Sequence, residues 1–238
     1  MSEIRFEIIV PCYNASWSLK RTIESFISQT YPNWRLWLVN DGSTDDSFQI
    51  AKEFVDGRIL LFSGINQGAS SAMNFARSKV IESSDPESFV MCCGADDWYL
   101  PEHLEVYKEE FEKDQSIDFL YSDVDCFFPD GKKAFPYGIP YHDVFDSTKL
   151  LFGNYIFTPT ATYKVRCFSV GEFDSRLNSI EDWDFFCMVA KAGYKMVHLK
   201  RVLTNVTVRD SRWDSGLAGK RTDEQMELFR RKRLVEKW

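Results

Sequence analysis

The chain has 238 residues, of which 44% are hydrophobic and 16% aromatic, and it carries a formal net charge of −7. This size and composition indicate a globular protein of one domain, or of one domain with an appended lobe. The acidic balance disfavours nucleic acid as the main partner, because binding a phosphate backbone requires a broad basic surface. We expect no signal peptide and no membrane span, since no run approaches the roughly 20 apolar residues that a span needs.

The six cysteines lie mostly within apolar runs and lack the paired spacing of a metal site: Cys12, Cys92, Cys93, Cys126, Cys167 and Cys187. We expect them to be reduced core residues of a cytoplasmic protein. The three histidines are scattered, which disfavours a histidine-based zinc site.

Strands and helices alternate over roughly the first hundred residues. The apolar pattern predicts strands at 4–10, 34–39, 58–62 and 88–93, with a helical pattern after each of the first three. This alternation predicts an α/β fold with a mostly parallel sheet wound with helices. No Gly-x-Gly-x-x-Gly follows the first strand and no Walker-type Gly-Lys-Ser/Thr occurs. A dinucleotide site and a P-loop site are therefore disfavoured.

Polar side chains follow the end of each of these four strands. In chain order they are Tyr13 and Asn14, then Asp41, then Asn66, and finally the adjacent pair Asp96 and Asp97. Because the carboxyl ends of parallel strands lie on one edge, four loops should bring polar groups to a single crevice, where ligands usually bind. Alone, the acidic pair would be a solvated turn and a helix cap. In a ligand crevice it favours a hard divalent ion such as Mg²⁺ or Mn²⁺.

The pattern becomes less regular after the fourth strand. It predicts a helix at 104–115, a strand at 117–121, an irregular segment at 128–146, a short helix or turn at 150–155, a strand-like run at 158–165, a helix at 180–193 and late strands at 195–199 and 202–208. Long ordered loops in compact domains are usually functional or mobile, so the irregular segment could cover a site. The acids Glu181, Asp182 and Asp184 begin the last helix, where the helix dipole alone would favour them.

The chain ends in a polar, basic stretch, with a predicted helix from 219 to 238 that contains Arg230, Arg231, Lys232 and Arg233. Three interpretations stay open: docking on the body, contact with an anionic membrane surface, and a solvated helix. Its apolar points do not form one continuous stripe, which favours the docked and solvated interpretations.

Six motifs in the expected order give the chain a family resemblance. They lie at 8–14, 25–32, 39–45, 66–74, 94–97 and 181–184. With them the chain resembles the family 2 glycosyltransferases of the GT-A fold, which are inverting enzymes that use nucleotide-diphospho-sugars. The resemblance runs from about Ile8 to about Arg209. It implies a Rossmann-like, mostly parallel central sheet flanked by helices, with a smaller acceptor-side part.

The resemblance also implies a nucleotide-binding set, formed by Pro11, Tyr13, Asn14, Asp41, Asn66, Gly68 and Asp96. Pro11 and Tyr13 would line the base pocket, with the Tyr13 ring packing on the base. Asp41 would accept a hydrogen bond from the base, which in uracil comes from the ring N–H. A base without that donor would leave a buried carboxylate unpaired, so this contact could select the base.

On the same grounds, Asp96 would bind Mn²⁺ or Mg²⁺ at the diphosphate, and Asp97 would support the metal or reach the sugar. The metal would neutralise charge that develops on the leaving diphosphate. Asp182 would be the general base for the acceptor hydroxyl, and direct displacement would invert the anomeric carbon. Glu181 and Trp183 would hold the acceptor, since the face of a Trp ring suits a sugar.

The chain departs from the family pattern at several positions. Gly94 stands where the family usually has an acid, Met73 replaces a common Arg, and Ser211 takes the place of a common His, although Arg209 and Arg212 remain as possible diphosphate partners. A catalytically impaired nucleotide-sugar-binding module is therefore an alternative to an active transferase. A nucleotidyltransferase is less favoured, because that class typically has a Gly-rich, basic signature near the first strand and this chain lacks it.

We favour the enzyme, because Asp41, Asp96 and Asp182 are present together. We expect residues 1–127 to form the nucleotide-sugar-binding half of one domain, 128–208 its acceptor-binding half, and 209–238 a loop and helical tail. The donor would be a UDP-sugar and the acceptor a glycan or a lipid-linked glycan, as in polysaccharide biosynthesis. The protein would be cytoplasmic, with peripheral membrane contact open through its basic tail.

Overall fold

The computed structural model describes residues 4–54, 56–134, 144–177, 179–208 and 227–229. Its strands are β1 (Phe6–Cys12), β2 (Trp34–Asp41), β3 (Ile59–Gly64), β4 (Phe89–Cys92), β5 (Trp98–Tyr99), β6 (Phe119–Phe127), β7 (Thr162–Lys164) and β8 (Met196–Thr207). Its α-helices are α1 (Leu19–Ile27), α2 (Ser47–Glu53), α3 (Ala69–Ser83), α4 (His103–Lys113), α5 (Ser147–Phe152) and α6 (Glu181–Lys191). Three 3₁₀ turns cover Thr158–Thr160, Val165–Val170 and Ser175–Leu177.

The strands form one eight-stranded sheet in the order β3-β2-β1-β4-β7-β6-β8-β5. The first four strands in this order are parallel to one another, as the alternating sequence pattern predicts. Farther across the sheet, β7 runs antiparallel to both β4 and β6, whereas β6 and β8 are parallel. The sheet is therefore mixed, and the carboxyl ends of β1, β2, β3 and β4 lie along one edge.

Helices cover both faces of the sheet because neighbouring strand residues point to opposite sides. Ile9 packs in the same cluster as residues of α3 and α6, whereas its neighbour Ile8 packs with residues of α1 and α4. Both side chains are fully buried. Burying a large apolar side chain contributes about 1.5–3 kcal/mol, so the two clusters hold the strand ends in fixed positions.

The later elements differ from their predicted form. The strand-like run at 158–165 is a 3₁₀ turn followed by the three-residue strand β7. The two predicted late strands are one strand, β8, whose pairing with β6 shifts register on both sides of Asp123. Strand β6 runs to Phe127, well beyond its predicted end.

All six cysteines are buried and free, which confirms their prediction as core residues. Among residues 4–208 as described, and in 227–229, no helix is both long and apolar enough to cross a membrane. The basic run of the tail and the three positions Arg209, Ser211 and Arg212 lie outside the described residues, as do positions 135–143 of the predicted irregular segment.

Candidate active site

The loop after β1 is joined to the loop after β2 through Asn14. The backbone N–H of Asn14 donates to the Ser43 hydroxyl at 3.1 Å, and the Asn14 side-chain oxygen accepts from the Thr44 N–H at 2.8 Å. Asn14 adopts a positive φ of 49°, a conformation that Asn tolerates better than most residues. Tyr13 beside it is 49% exposed. The structure thus presents the Tyr13 ring to solvent at the sheet edge. Pro11 is the second-last residue of β1.

Asp41, at the end of β2, is turned towards the third loop. It is 6% exposed, and its two oxygens accept the backbone N–H groups of Gln67 at 2.9 Å and Gly68 at 2.8 Å. The carboxylate therefore holds the loop that leads into α3. A carboxylate offers about four lone-pair positions, so these two bonds leave acceptor capacity for a base.

The chain turns tightly beside Asp41, and a cavity of about 220 Å³ lies next to the turn. Gly42 has a φ of +66°, and a Cβ there would meet the backbone N of Asn66 at 2.7 Å, so only Gly fits. The cavity is lined by Asp41, Gln67, Phe62 and Phe75, among others. Apolar rings and polar side chains both line it, a mixture that is typical of a small-ligand pocket.

The turn after β4 holds the two adjacent acids in different environments. Asp97 is 4% exposed, and its two carboxylate oxygens accept from the Gly94 N–H at 2.9 Å and from the Thr207 N–H at 3.2 Å. Asp96 is only partly buried. Of the two predicted metal ligands, Asp97 is the more deeply buried and holds the turn, whereas Asp96 keeps part of its surface exposed.

Gly94 makes this arrangement possible. A Cβ at this position would lie 2.6 Å from Oδ1 of Asp96 and 3.0 Å from Oδ2 of Asp97. Both distances are shorter than a van der Waals contact, so the two carboxylates occupy space that a side chain at position 94 would need. The departure from the family pattern at Gly94 is thus built into the geometry of the turn.

Asp182, the predicted base, lies in the first turn of α6 beside the end of β4. Its Oδ2 accepts a hydrogen bond from the Thr158 hydroxyl, and its Oδ1 accepts from the Trp183 N–H at 2.7 Å. Burial raises the pKa of the Cys92 thiol to about 12, and the negative charge of Asp182 adds to that rise. The base candidate therefore stands next to the strand whose continuation carries Asp96.

Glu181 is the titratable neighbour of Asp182. Burial, together with the negative charge of Asp182, raises the pKa of Glu181 to about 7. Its buried Oε2 has no hydrogen-bond partner in the structure. Two adjacent carboxyl groups in such different environments are a common arrangement at sites of proton transfer.

Trp183 is misassigned by the sequence prediction. Its ring is 2% exposed, its Nε1–H donates to the Leu150 carbonyl at 2.6 Å, and the Phe229 ring lies 4.2 Å away, centroid to centroid. A ring in this position is a core group and does not offer a face to a sugar. Successive residues of an α-helix project about 100° apart, so Trp183 points in a different direction from Asp182 although the two are adjacent in the motif.

The sequence prediction assigns no role in the site to two polar residues, Thr158 and Arg21. Thr158 was assigned to a strand, although it contacts Asp182 from a 3₁₀ turn. Arg21 lies on α1, and its guanidinium carbon is 3.6 Å from the centroid of the Trp98 ring beside the acidic turn. A Ser-x-x-Arg-Thr pattern at 18–22 is the one signal for Arg21, because that spacing places the three side chains on one helix face.

Comparison with known proteins agrees with this architecture. The structure of S. aureus TarS residues 1–349 in complex with UDP is similar to this chain, with a TM-score of 0.74 and 20% identity, covering 98% of this chain and 65% of that one. The fold is the GT-A glycosyltransferase fold. The chain belongs to glycosyl transferase family 2, whose model matches residues 7–173. The expected family and fold class are therefore confirmed.

Two curated relatives are longer proteins. Glycosyltransferase GlyA of Streptococcus pneumoniae serotype 4 is 36% identical over 123 residues, which are 50% of this chain and 17% of GlyA. The Escherichia coli protein WfgD, a UDP-Glc:alpha-D-GlcNAc-diphosphoundecaprenol beta-1,3-glucosyltransferase, is 32% identical over 122 residues, which are 51% of this chain and 46% of WfgD. The matched regions thus span less than half of either relative.

Proposed function

We propose that this chain transfers a sugar from a UDP-sugar to a hydroxyl group of a glycan or lipid-linked acceptor, with inversion of the anomeric carbon. UDP is bound in the similar TarS structure, and the name of WfgD describes transfer from UDP-Glc to a lipid diphosphate-linked sugar. These relatives support the donor and acceptor classes proposed here.

One observation carries the proposal: the base candidate and the acidic turn meet at the end of one strand. Asp182 lies close enough to Cys92 on β4 for its charge to act on that thiol. Two residues beyond Cys92, the chain enters the turn that presents Asp96. An acceptor at Asp182 would therefore be next to a donor whose diphosphate lies at Asp96, as direct displacement requires.

In the proposed reaction the acceptor oxygen attacks the anomeric carbon, and Asp182 takes the proton of the attacking hydroxyl. The bond between the anomeric carbon and the diphosphate oxygen breaks, and UDP leaves with that electron pair. The Thr158 hydroxyl orients the Asp182 carboxylate by donating to Oδ2. With a pKa of about 7, Glu181 can donate a hydrogen bond to a second hydroxyl of the acceptor, or accept one from it.

A divalent ion fits the site through a single protein carboxylate. Within the described residues no three His, Cys, Asp or Glu side chains cluster as a metal site. Mg²⁺ usually keeps several waters and binds one or two carboxylates together with substrate phosphates, and Mn²⁺ accepts the same kind of ligand. Asp96 would hold the ion and Asp97 would fix the turn. When bound, the ion would stabilise charge on the departing diphosphate.

The test is to measure UDP release from a panel of UDP-sugars and GDP-sugars with glycan acceptors and Mn²⁺, with and without EDTA. Asp182→Asn should lower turnover by about 10²- to 10⁴-fold, because general-base catalysis contributes that much. UDP binding by this variant should stay at the wild-type level. Asp130→Asn is the matched control, since Asp130 pairs with Lys132 in an exposed turn.

Turnover by Asp182→Asn at the control rate would contradict the assigned base. A wild-type protein that binds UDP and yet turns over no donor with any acceptor would favour the alternative, a catalytically impaired nucleotide-sugar-binding module. Full activity in EDTA would exclude the metal from the reaction.

A further inference from the structure

Helix α1 donates hydrogen bonds to three successive carbonyl groups of the acidic turn. The three donors lie on one face of the helix, and the bonds are Ser18 Oγ to Ala95 O at 2.8 Å, Arg21 Nη2 to Asp96 O at 2.9 Å and Thr22 Oγ1 to Asp97 O at 2.7 Å. Ser18 occupies the N-cap position of α1, but its hydroxyl makes no cap hydrogen bond. The hydroxyl donates to the acidic turn instead, so this face of the helix holds the backbone of residues 95–97.

Arg21 is the one charged member of this group, and it also contacts the other half of the chain. The same Nη2 that donates to Asp96 O donates to the Thr207 hydroxyl at 3.1 Å, and that hydroxyl in turn donates to Asp96 O. The guanidinium stacks on the ring of Trp98, the residue that follows the two acids. Arg21 thus links α1, the acidic turn and the last residue of β8.

These contacts fix the backbone from which the Asp96 carboxylate projects. The Asp96 carbonyl accepts from both Arg21 and Thr207, and Thr207 also donates its N–H to Asp97. Loss of the guanidinium would leave the Asp96 carbonyl with the Thr207 hydroxyl as its remaining partner among these side chains. It would also remove a positive charge from the neighbourhood of two carboxylates, whose mutual repulsion would then increase.

We propose that Arg21 is a positioning residue that holds the acidic turn in the geometry needed to bind the metal–diphosphate group. The metal part of this proposal rests on the proposed function. The positioning part does not, because it concerns the backbone of residues 94–99 with or without a ligand. Arg21 does not touch the reacting atoms, so its effect is expected through Asp96.

The experiment compares Arg21→Met, Arg21→Lys and the wild type by hydrogen–deuterium exchange without ligand, followed by titration with UDP and Mn²⁺. Lys20→Met is the matched control, because Lys20 is the neighbouring cation on α1 but is exposed. Its ion pair with Glu24 is weak, with Lys20 Nζ 3.8 Å from Glu24 Oε1. Thr207→Val is a second variant that keeps Arg21 and removes the hydroxyl bridge to Asp96.

Arg21→Met should accelerate exchange in the peptide that covers 94–99 and leave the other strands at the wild-type level. It should weaken binding of Mn²⁺–UDP by about 10- to 100-fold, the usual effect of removing a residue that orients a metal ligand. Arg21→Lys should recover part of this loss, because one ammonium can satisfy one of the two acceptors. Lys20→Met should behave as the wild type.

Wild-type exchange at 94–99 in a folded Arg21→Met protein would overturn the proposal, as would faster exchange spread evenly over the whole sheet. If Arg21→Met does not fold, the Thr207→Val protein decides by the same two measurements. A wild type that binds no UDP would count against the proposed function, and the exchange data would still decide the role of Arg21.

Discussion

The proposed donor side and the proposed acceptor side of the site hold their carboxylates by different means. On the donor side, Asp41 and Asp97 each accept two backbone N–H groups. On the acceptor side, Asp182 accepts one backbone N–H, that of Trp183, and the hydroxyl of Thr158, a side chain on a 3₁₀ turn. A backbone donor is fixed by the fold around it, whereas a hydroxyl can rotate. The donor side is therefore pre-formed, and the acceptor side can exchange a partner when a substrate hydroxyl arrives.

The same contrast separates two glutamates with buried carboxyl oxygens, one on β1 and one on α6. Glu7 on β1 is fully buried and receives hydrogen bonds from Arg5, Arg35 and Trp37. Glu181 on α6 has a buried oxygen with no hydrogen-bond partner. One charge is stabilised by its surroundings and the other is not. The oxygen of Glu181 without a hydrogen-bond partner lowers stability on the acceptor side, where a group able to hold a proton is useful. The hydrogen-bonded Glu7 raises stability in the donor half.

Glu7→Gln should give the largest effect, a loss of about 3 kcal/mol in the free energy of unfolding at pH 7, because removing one partner leaves a buried network incomplete. Burial alone would raise the pKa of Glu7, but hydrogen bonds from Arg35, Trp37 and Ser84 hold it below its usual value of 4.5. The stabilisation is therefore fully present above pH 4.5 and disappears as pH falls through the folded pKa.

Urea unfolding at pH 7 and at pH 3 measures this effect. Glu82→Gln is the control, because Glu82 is exposed and pairs with Lys79 on the helix surface. The two variants should differ strongly at pH 7 and much less at pH 3. Equal stability of Glu7→Gln and the wild type at pH 7 would show that the network contributes nothing net.

Gly94→Ala should give the next effect, at the acidic turn of the donor side. The new Cβ would lie 2.6 Å from Asp96 Oδ1, so that carboxylate must move. We expect affinity for Mn²⁺–UDP to fall by about tenfold, at the low end of the effect of disturbing a metal ligand's support. Isothermal titration measures it. Gly153→Ala is the control, since a Cβ there meets nothing within 4 Å. Unchanged affinity would mean that the Asp96 carboxylate can move without loss of binding, which would contradict a pre-formed donor side.

The donor half was the more predictable part of the chain because its elements follow simple periodicities. Strands β1 to β4 carry largely apolar runs, and the rules for parallel sheets place the residues that follow them along one edge. Asp41 and Asp96 lie at or just after the carboxyl ends of the parallel strands β2 and β4, as the sequence predicts, and their binding roles stay predictions. The inward turn of Asp97 was not predictable, because it depends on the N–H of Thr207, a residue 110 positions later in the chain.

The acceptor half was less predictable because short 3₁₀ turns carry no period. Thr158 is the first residue of a 3₁₀ turn that packs against β4, β6 and β8, and its run of residues was predicted as a strand because this packing leaves no periodic signal in the sequence. Trp183 was assigned by its place in a motif, although the helix turns its ring towards Leu150. Sequence motifs located the acids of this half correctly on α6, but the direction of each side chain came from tertiary contacts.

Glu181→Gln should give the smallest effect, and its sign should be opposite to that of Glu7→Gln. The pKa of Glu181 is raised from 4.5 to about 7, first by burial and then by the charge of Asp182. Between these two pH values the folded protein binds more protons than the unfolded chain, so the wild type loses stability as pH rises. A neutral amide removes that loss, and Glu181→Gln should be more stable than the wild type at pH 8 by about 1–2 kcal/mol. This is less than the roughly 3 kcal/mol that the full shift would give, because solvent screens the partly exposed side chain.

The difference between the variant and the wild type should be smaller at pH 5, where Glu181 is protonated in the folded protein. Urea unfolding at both pH values measures it, with Glu172→Gln as the control because Glu172 is mostly exposed. A difference that does not change between pH 5 and pH 8 would contradict the raised pKa. If the expected sign holds and Glu181→Gln also loses turnover above pH 7, the acceptor half keeps an unfavourable charge because the reaction uses it. The contrast with Glu7 would then be one of function as well as of packing.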